Sequence, residues 1–183
     1  MMDSTAVGVM DLSPGAETDR MSEEEFREFY SLTARSLRAY LRSLTREAAL
    51  ADDILQEAYL RLLKINLPVE MTPAHRKNYL YRTAVNLLRD HKRRERSTEL
   101  KEVAVKGDTA QSTAHSRDLS RALDRLTARE RELVWLAYVE QFSHDEIAEM
   151  LGTKVASVRP MLFRAKQRLA DILKRLGYGS TDL

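Results

Sequence analysis

The chain has 183 residues, 43% of them hydrophobic and 32% charged, with a net charge of only +2. That length suits one ordinary domain or two small ones, and so small a net charge leaves any nucleic-acid binding to local basic patches. The lack of cysteine excludes disulfides and thiolate metal sites and fits a reducing interior. No apolar run approaches the ~20 residues needed to span a bilayer, and the opening MMDSTAVGVMDLSPGAETDR has neither the basic flank nor the apolar core of a secretory signal. A cytoplasmic protein without membrane insertion is the expectation.

Residues 1–21 mix small, polar and turn-forming types around Pro14-Gly15 and read as a disordered leader; Met1, Met2 and Met21 are all candidate starts. Ser22 with Glu25 three residues on forms a capping box, which predicts a helix over 23–44 with Phe26, Phe29, Tyr30, Leu37, Tyr40, Leu41 and Leu44 on its apolar face. Thr45 is the next cap, for a helix over 46–65 burying Leu50, Ile54, Leu55, Ala58, Leu62 and Leu63. Thr72-Pro73 places a cap before a proline at the first helical position, where its missing N–H costs nothing. The third helix runs over 73–96, buries Leu80, Ala84, Leu87 and Leu88, and ends in HKRRER, where the macrodipole favours positive charge.

The helical pattern lapses over 97–116, a polar stretch that reads as a flexible linker. It resumes at 117–177, followed by a short tail at 178–183. Thr127 with Glu130 forms a capping box before a segment in which Val134, Trp135, Leu136, Ala137, Tyr138 and Val139 supply a small core. Ser143 with Glu146 forms another, before Ile147, Ala148, Met150 and Leu151; Gly152 then suits a left-handed helix end. Thr153 caps a longer basic helix that buries Val155, Val158, Leu162, Ala165, Leu169, Ile172 and Leu176. A short helix, a tight turn and a basic helix have the form of a helix-turn-helix, whose second helix can enter a major groove; an ordinary helical hairpin fits the same pattern. The expected fold is all-α: two small helical domains, 22–96 and 117–177, with the helix-turn-helix in the second.

Two further clusters carry possible chemistry. Asp52, Asp53, Gln56 and Glu57 gather on one helix, because residues three and four apart share a face. A divalent-cation site, a solvated face and a docking surface all fit that spacing. The third helix interleaves Tyr79 and Tyr81 with Arg76, Lys77, Arg82, Arg89, Arg93 and Arg94, and adds Asn86. Rings that stack bases beside arginines that follow a backbone suit opened DNA; a core helix with a basic end is the plainer reading. His75, His91, His115 and His144 lack metal-site spacing, and no glycine loop cradles a phosphate. No metal or cofactor is expected.

Together, ADDILQEAYLRLLK, RKNYLYRTAVNLLRDHKRRE and LDRLTARERELVWLAYVEQFSHDEIAEMLG with the basic helix after it resemble the extracytoplasmic-function sigma factors. The resemblance implies a non-enzymatic initiation factor that directs core RNA polymerase to promoters and promotes DNA melting. It implies that Asp52, Asp53, Gln56 and Glu57 dock on the clamp helices of the largest polymerase subunit. Tyr79, Arg82, Asn86, Arg89 and Arg93 would engage the −10 element, with the loop from Asn66 to Thr72 holding a flipped base. Lys154, Ser157, Arg159, Phe163 and Arg164 would face the −35 element. Promoter DNA and polymerase are the implied partners, and an anti-sigma factor is a further candidate. The alternative is a helix-turn-helix regulator that acts without polymerase.

The chain departs from the family pattern at Tyr79, where tryptophan is common, and at Pro160-Met161, where a serine–arginine pair is usual. A proline seven residues inside a helix loses a hydrogen bond and crowds the preceding turn. Ser157 is itself a good cap, so the recognition helix is expected to begin near Ser157 or Val158, with Pro160 in its first turn. The alternative, since Leu162, Ala165, Leu169 and Leu173 keep the helical pattern beyond it, is a helix that continues through Pro160 with a kink and re-aims Phe163 and Arg164.

Overall fold

The computed structural model describes residues 18–19, 21–45, 47–65, 67–68, 71–98 and 121–178. The rest of the predicted leader, the linker beyond Thr98, Asn66 and residues 69–70 of the predicted base-holding loop, and the end of the tail lie outside the described residues.

Three helices build the first half: α1 (Glu23–Thr45), α2 (Ala48–Lys64) and α3 (Pro73–Thr98). α1 and α3 start where a side chain supplies a partner for free backbone N–H groups. Ser22 and Glu25 exchange hydrogen bonds of 2.9 and 3.2 Å, and Thr72 Oγ1 accepts from the His75 N–H at 3.3 Å. At α2 the predicted cap fails: Glu47 holds the capping position without a side-chain hydrogen bond. Thr45 instead donates to the carbonyls of Leu41 and Glu47, closing the preceding helix. The third helix runs two residues into the predicted linker.

A two-residue antiparallel ladder joins β1 (Thr18–Asp19) to β2 (Leu67–Pro68), with Thr18 opposite Pro68 and Asp19 opposite Leu67. The end of the predicted leader is therefore paired to the loop between α2 and α3, a contact between segments far apart in sequence that no local pattern announces.

In the second half, a helical turn at 121–124 precedes α4 (Ala128–Val134), a π-helical turn (Trp135–Val139), α5 (His144–Leu151) and α6 (Val155–Arg175). Both predicted capping boxes form, Thr127 with Glu130 and Ser143 with Glu146. Gly152 ends α5 at φ 58°, in the left-handed region. A Cβ there would lie 3.7 Å from Arg89 Nη1, an ordinary contact. Gly152→Ala should therefore cost stability through backbone conformation rather than collision, by about 1–2 kcal/mol, read from urea unfolding midpoints.

The two halves share a core. Leu37, Tyr40, Leu41, Leu80, Tyr81, Ala84 and Val85 of the first half belong to one buried cluster with Leu133, Leu136, Phe142, Ile147, Met150 and Val158 of the second. A smaller cluster of Ala122, Leu126, Val134, Ala165 and Ile172 lies within the second half. Several predicted core residues are on the surface instead. Tyr30 and Leu63 are exposed, and Tyr30 lies against Phe26 and Tyr59 in an aromatic group. Val155 is exposed because it opens α6. Tyr138 and Val139 are turned outward by the π turn, in which the Glu140 N–H reaches back five residues to the Trp135 carbonyl at 3.1 Å.

Candidate nucleic-acid and partner interfaces

The carboxylate cluster on α2 divides on inspection. Asp52 faces inward along the helix surface: Arg38 Nε and Nη2 donate to its two oxygens at 2.6 and 2.5 Å. That guanidinium holds the Asp52 carboxyl below its usual range. The fork ties α1 to α2, so Asp52 positions the helix. Asp53 and Gln56 are exposed and Glu57 is half-exposed on the neighbouring stripe. Arg61 donates to Glu57 at 2.8 Å and keeps its carboxyl below the usual value. The opposite side of α2 (Ala51, Ile54, Leu55, Ala58, Tyr59 and Leu62) is buried, so the polar stripe is free to meet a partner. No group of three or more His, Asp or Glu side chains able to hold a metal occurs among the described residues.

On α3 the predicted stripe is present, and the second half lies across its middle. Tyr79 is half-buried, with the Arg82 guanidinium 5.8 Å from its ring centre. Asn86 and Arg93 are exposed. Arg82 pairs with Glu149 of α5, and Arg89 sits beside Gly152 with its Nη2 buried and unpartnered. Tyr81, read as a stacking surface, is instead 0% exposed. Its ring packs against Tyr40 at 5.8 Å and edge-on against Phe142 at 5.2 Å. Tyr79 and Tyr81 cannot both face outward on one helix, since two residues apart they point to different sides.

The recognition helix begins at Val155 with Lys154 as its cap, two residues before the expected start and without the predicted Thr153 cap. Pro160 therefore lies inside the helix, which continues through it to Arg175. The apolar residues Val158, Leu162, Ala165 and Ile172 are buried, and that packing holds the helix together on both sides of the proline. Lys154, Arg159, Phe163 and Arg164 are exposed and Ser157 is half-exposed; Phe163 shows 63% of its surface. Pro160 is exposed, whereas Met161 packs partly on the core. Replacing the two by Ser and Arg should restore one backbone donor and add one phosphate contact, because an arginine stem can stay packed while its head reaches out. Duplex binding should strengthen and its log–log salt slope steepen by about 1, measured by anisotropy titration across salt concentrations.

One site that sequence reasoning missed is Glu140, 6% exposed at the contact between the halves. Burial pushes its carboxyl up, but hydrogen bonds from Ser36 and Lys77 outweigh burial and hold it below its ordinary value. Lys77 Nζ meets the carboxylate at 3.0 Å and the backbone carbonyl at 3.1 Å. Trp135 Nε1 donates at 3.0 Å, and Ser36 Oγ donates as well. Nothing in the local sequence marks Glu140: Trp135 is five residues away, but Ser36 and Lys77 lie far off in α1 and α3. Gln141 after it has φ 59°, a left-handed value unusual outside glycine.

Residues 29–98 match the family description Sigma-70 region 2, and residues 116–169 match Sigma-70, region 4. The chain is 31% identical over 145 residues to the ECF RNA polymerase sigma factor EcfG of Rhodopseudomonas palustris, covering 75% of this chain and 79% of that protein. It is 27% identical over 160 residues to the ECF RNA polymerase sigma factor SigM of Bacillus subtilis, covering 81% of this chain and 94% of the relative. The fold is similar to that of the sigma factor RpoE of Bartonella quintana, solved with the anti-sigma factor NepR, at TM-score 0.59 and 22% identity over 82% of this chain and 98% of that one. No described helix is long and apolar enough to cross a membrane. With a polar stripe on α2, a basic stripe on α3 and a helix-turn-helix whose basic face is open, the chain belongs to the extracytoplasmic-function sigma factors, which direct RNA polymerase to promoters.

Proposed function

We propose that three faces of this sigma factor divide the work of initiation, and that it acts by binding, with no catalytic site of its own. Asp53, Gln56 and Glu57 dock on the clamp helices of the polymerase largest subunit, with Asp52 and Arg38 fixing the angle of α2. Tyr79, Arg82, Asn86, Arg89 and Arg93 engage the −10 element and its unstacked strand. Lys154, Ser157, Arg159, Phe163 and Arg164 read the −35 element. The observation that carries the first assignment is the exposed stripe on a helix whose other side is buried.

Melting on this reading is driven by capture: a base leaving the stack costs a few kcal/mol, offset by stacking and phosphate contacts along α3. An anti-sigma factor is a further proposed partner, by analogy with the RpoE–NepR complex.

The test is co-purification with core polymerase, followed by transcription on genomic fragments to select promoters. Asp53→Lys should abolish most core binding while the melting temperature stays within about 2 °C of wild type. A variant that binds core as well as wild type would show the stripe to be merely solvated. Sequence-specific binding to a palindrome by the protein alone, with no gain from polymerase, would favour the regulator reading instead.

A further inference from the structure

We infer that a groove between α1, α3 and the end of the π turn is a seat for the chain's own leader, filled by Val7 and Val9. The groove has a volume of about 280 Å³, with apolar walls supplied by Phe29 and Leu32 of α1 and by Pro73 and Ala74 of α3. Its polar groups already have partners within the protein. Thr33 Oγ1 donates to the Phe29 carbonyl at 2.6 Å and meets the Tyr59 hydroxyl at 2.7 Å. Ser36 donates to Glu140, and Lys77 Nζ meets the Glu140 carboxylate and carbonyl at 3.0 and 3.1 Å. Leu32, by contrast, is 72% exposed. The seat therefore calls for an apolar occupant rather than a polar ligand.

The strand pairing aims the leader at this groove. β1 is antiparallel to β2, with Asp19 opposite Leu67 and Thr18 opposite Pro68. Followed backwards from Asp19 through Thr18, the leader travels in the direction in which β2 leads on to Pro73, which opens α3 and lines the groove. Val9 lies nine residues before Thr18, a stretch that reaches about 30 Å when extended. Pro73 lies five residues beyond Pro68, within about 17 Å. The excess leaves room for a turn at Pro14-Gly15.

The leader's side chains also match the space. In an extended chain, residues two apart share a face, so Val7 and Val9 enter together on either side of Gly8. A cavity of about 150 Å³ holds one benzene-sized group, and a groove of about 280 Å³ takes two valine side chains. Seated there, the leader covers the joint between α1, α3 and Glu140 of the second half. None of the residues lining the seat is among those proposed to meet polymerase or DNA.

The chain has no native cysteine, so Ser4→Cys places a single nitroxide three residues before Val7 in the full-length protein. Seating should broaden the methyl resonances of Leu32 and Ala74 nearly to loss, relative to the same sample after the nitroxide is reduced. Val7→Asp with Val9→Asp, carrying the same label, should restore both signals, because a carboxylate is not buried in an apolar groove without a partner. Leu32→Asp should restore the Ala74 signal from the groove side. Equal broadening in the charged-leader variant would mean that the tether alone keeps the label near, and would overturn the inference. Full intensity at both methyls with the valines in place would overturn it as well. Mixing nitroxide-bearing chains of natural isotope content with isotope-labelled chains lacking the cysteine should leave the methyls sharp. Broadening in that mixture would show that the leader of a second copy fills the seat, and would overturn the assignment to the chain's own.

Discussion

Arg131→Ala should cost about 3–4 kcal/mol, one of the largest losses open to a single substitution in this fold. The side chain is 2% exposed and works as a four-way tie. Its guanidinium donates to the carbonyls of Leu123, Asp124 and Leu126 at 2.9, 3.2 and 3.2 Å, and to that of Ser43 in α1. The first three hold the turn before α4; the fourth binds that turn to the first half. Removing the cation strands several buried acceptors at once, and each unsatisfied group costs about 1–3 kcal/mol, reduced where water enters. Arg131→Lys should recover part of the loss, because one ammonium cannot fork across four carbonyls. Chemical denaturation of the full chain measures both. A loss below about 1 kcal/mol for the alanine variant would mean that the turn finds other donors.

Asn86→Ala should leave recruitment to polymerase intact and reduce open-complex formation by about ten- to a hundredfold, the range that one good contact to a base edge supplies. Asn86 is exposed and projects from α3 between Arg82 and Arg89. It has no role in the core, so stability should be unchanged. Promoter DNA that is already melted should recover part of the loss, since the variant is impaired in holding the strand rather than in docking. Permanganate reactivity of thymines in the bubble reports melting directly, and normal reactivity in the variant would place Asn86 outside the contact.

Local chemistry was legible in the sequence where two residues of one turn satisfy each other or a single residue type suits the backbone, though the lone caps predicted at Thr45 and Thr153 do not form. The boxes at Ser22, Thr127 and Ser143, the cap at Thr72 and the left-handed Gly152 all form. Misreadings arose where partners are distant or periods change. Asp52 shares a face pattern with Asp53, but Arg38, fourteen residues earlier, claims it. Tyr81 reads as a free ring until Phe142 closes over it. Tyr138 and Val139 fit an α-helical stripe, and the π turn rotates them out. The start of α6 was misplaced because Ser157 is a good cap in its own right, while the buried contacts of Val158 and Leu162 hold the helix through Pro160, the competing outcome.

The π turn also bears on how such a chain can change over generations. A π turn is an α-helix with one residue too many, so a single-codon deletion within Trp135–Val139 would restore an ordinary helix. The wide turn is what absorbs the extra residue, so the side chains beyond it would keep their facing relative to α4. Glu140 and Phe142 would keep their places against Lys77 and Tyr81, and only the outward-turned Tyr138 and Val139 would be re-aimed. A lineage could thus gain or lose the turn by one insertion or deletion without disturbing the contact between the halves or the helix-turn-helix beyond it.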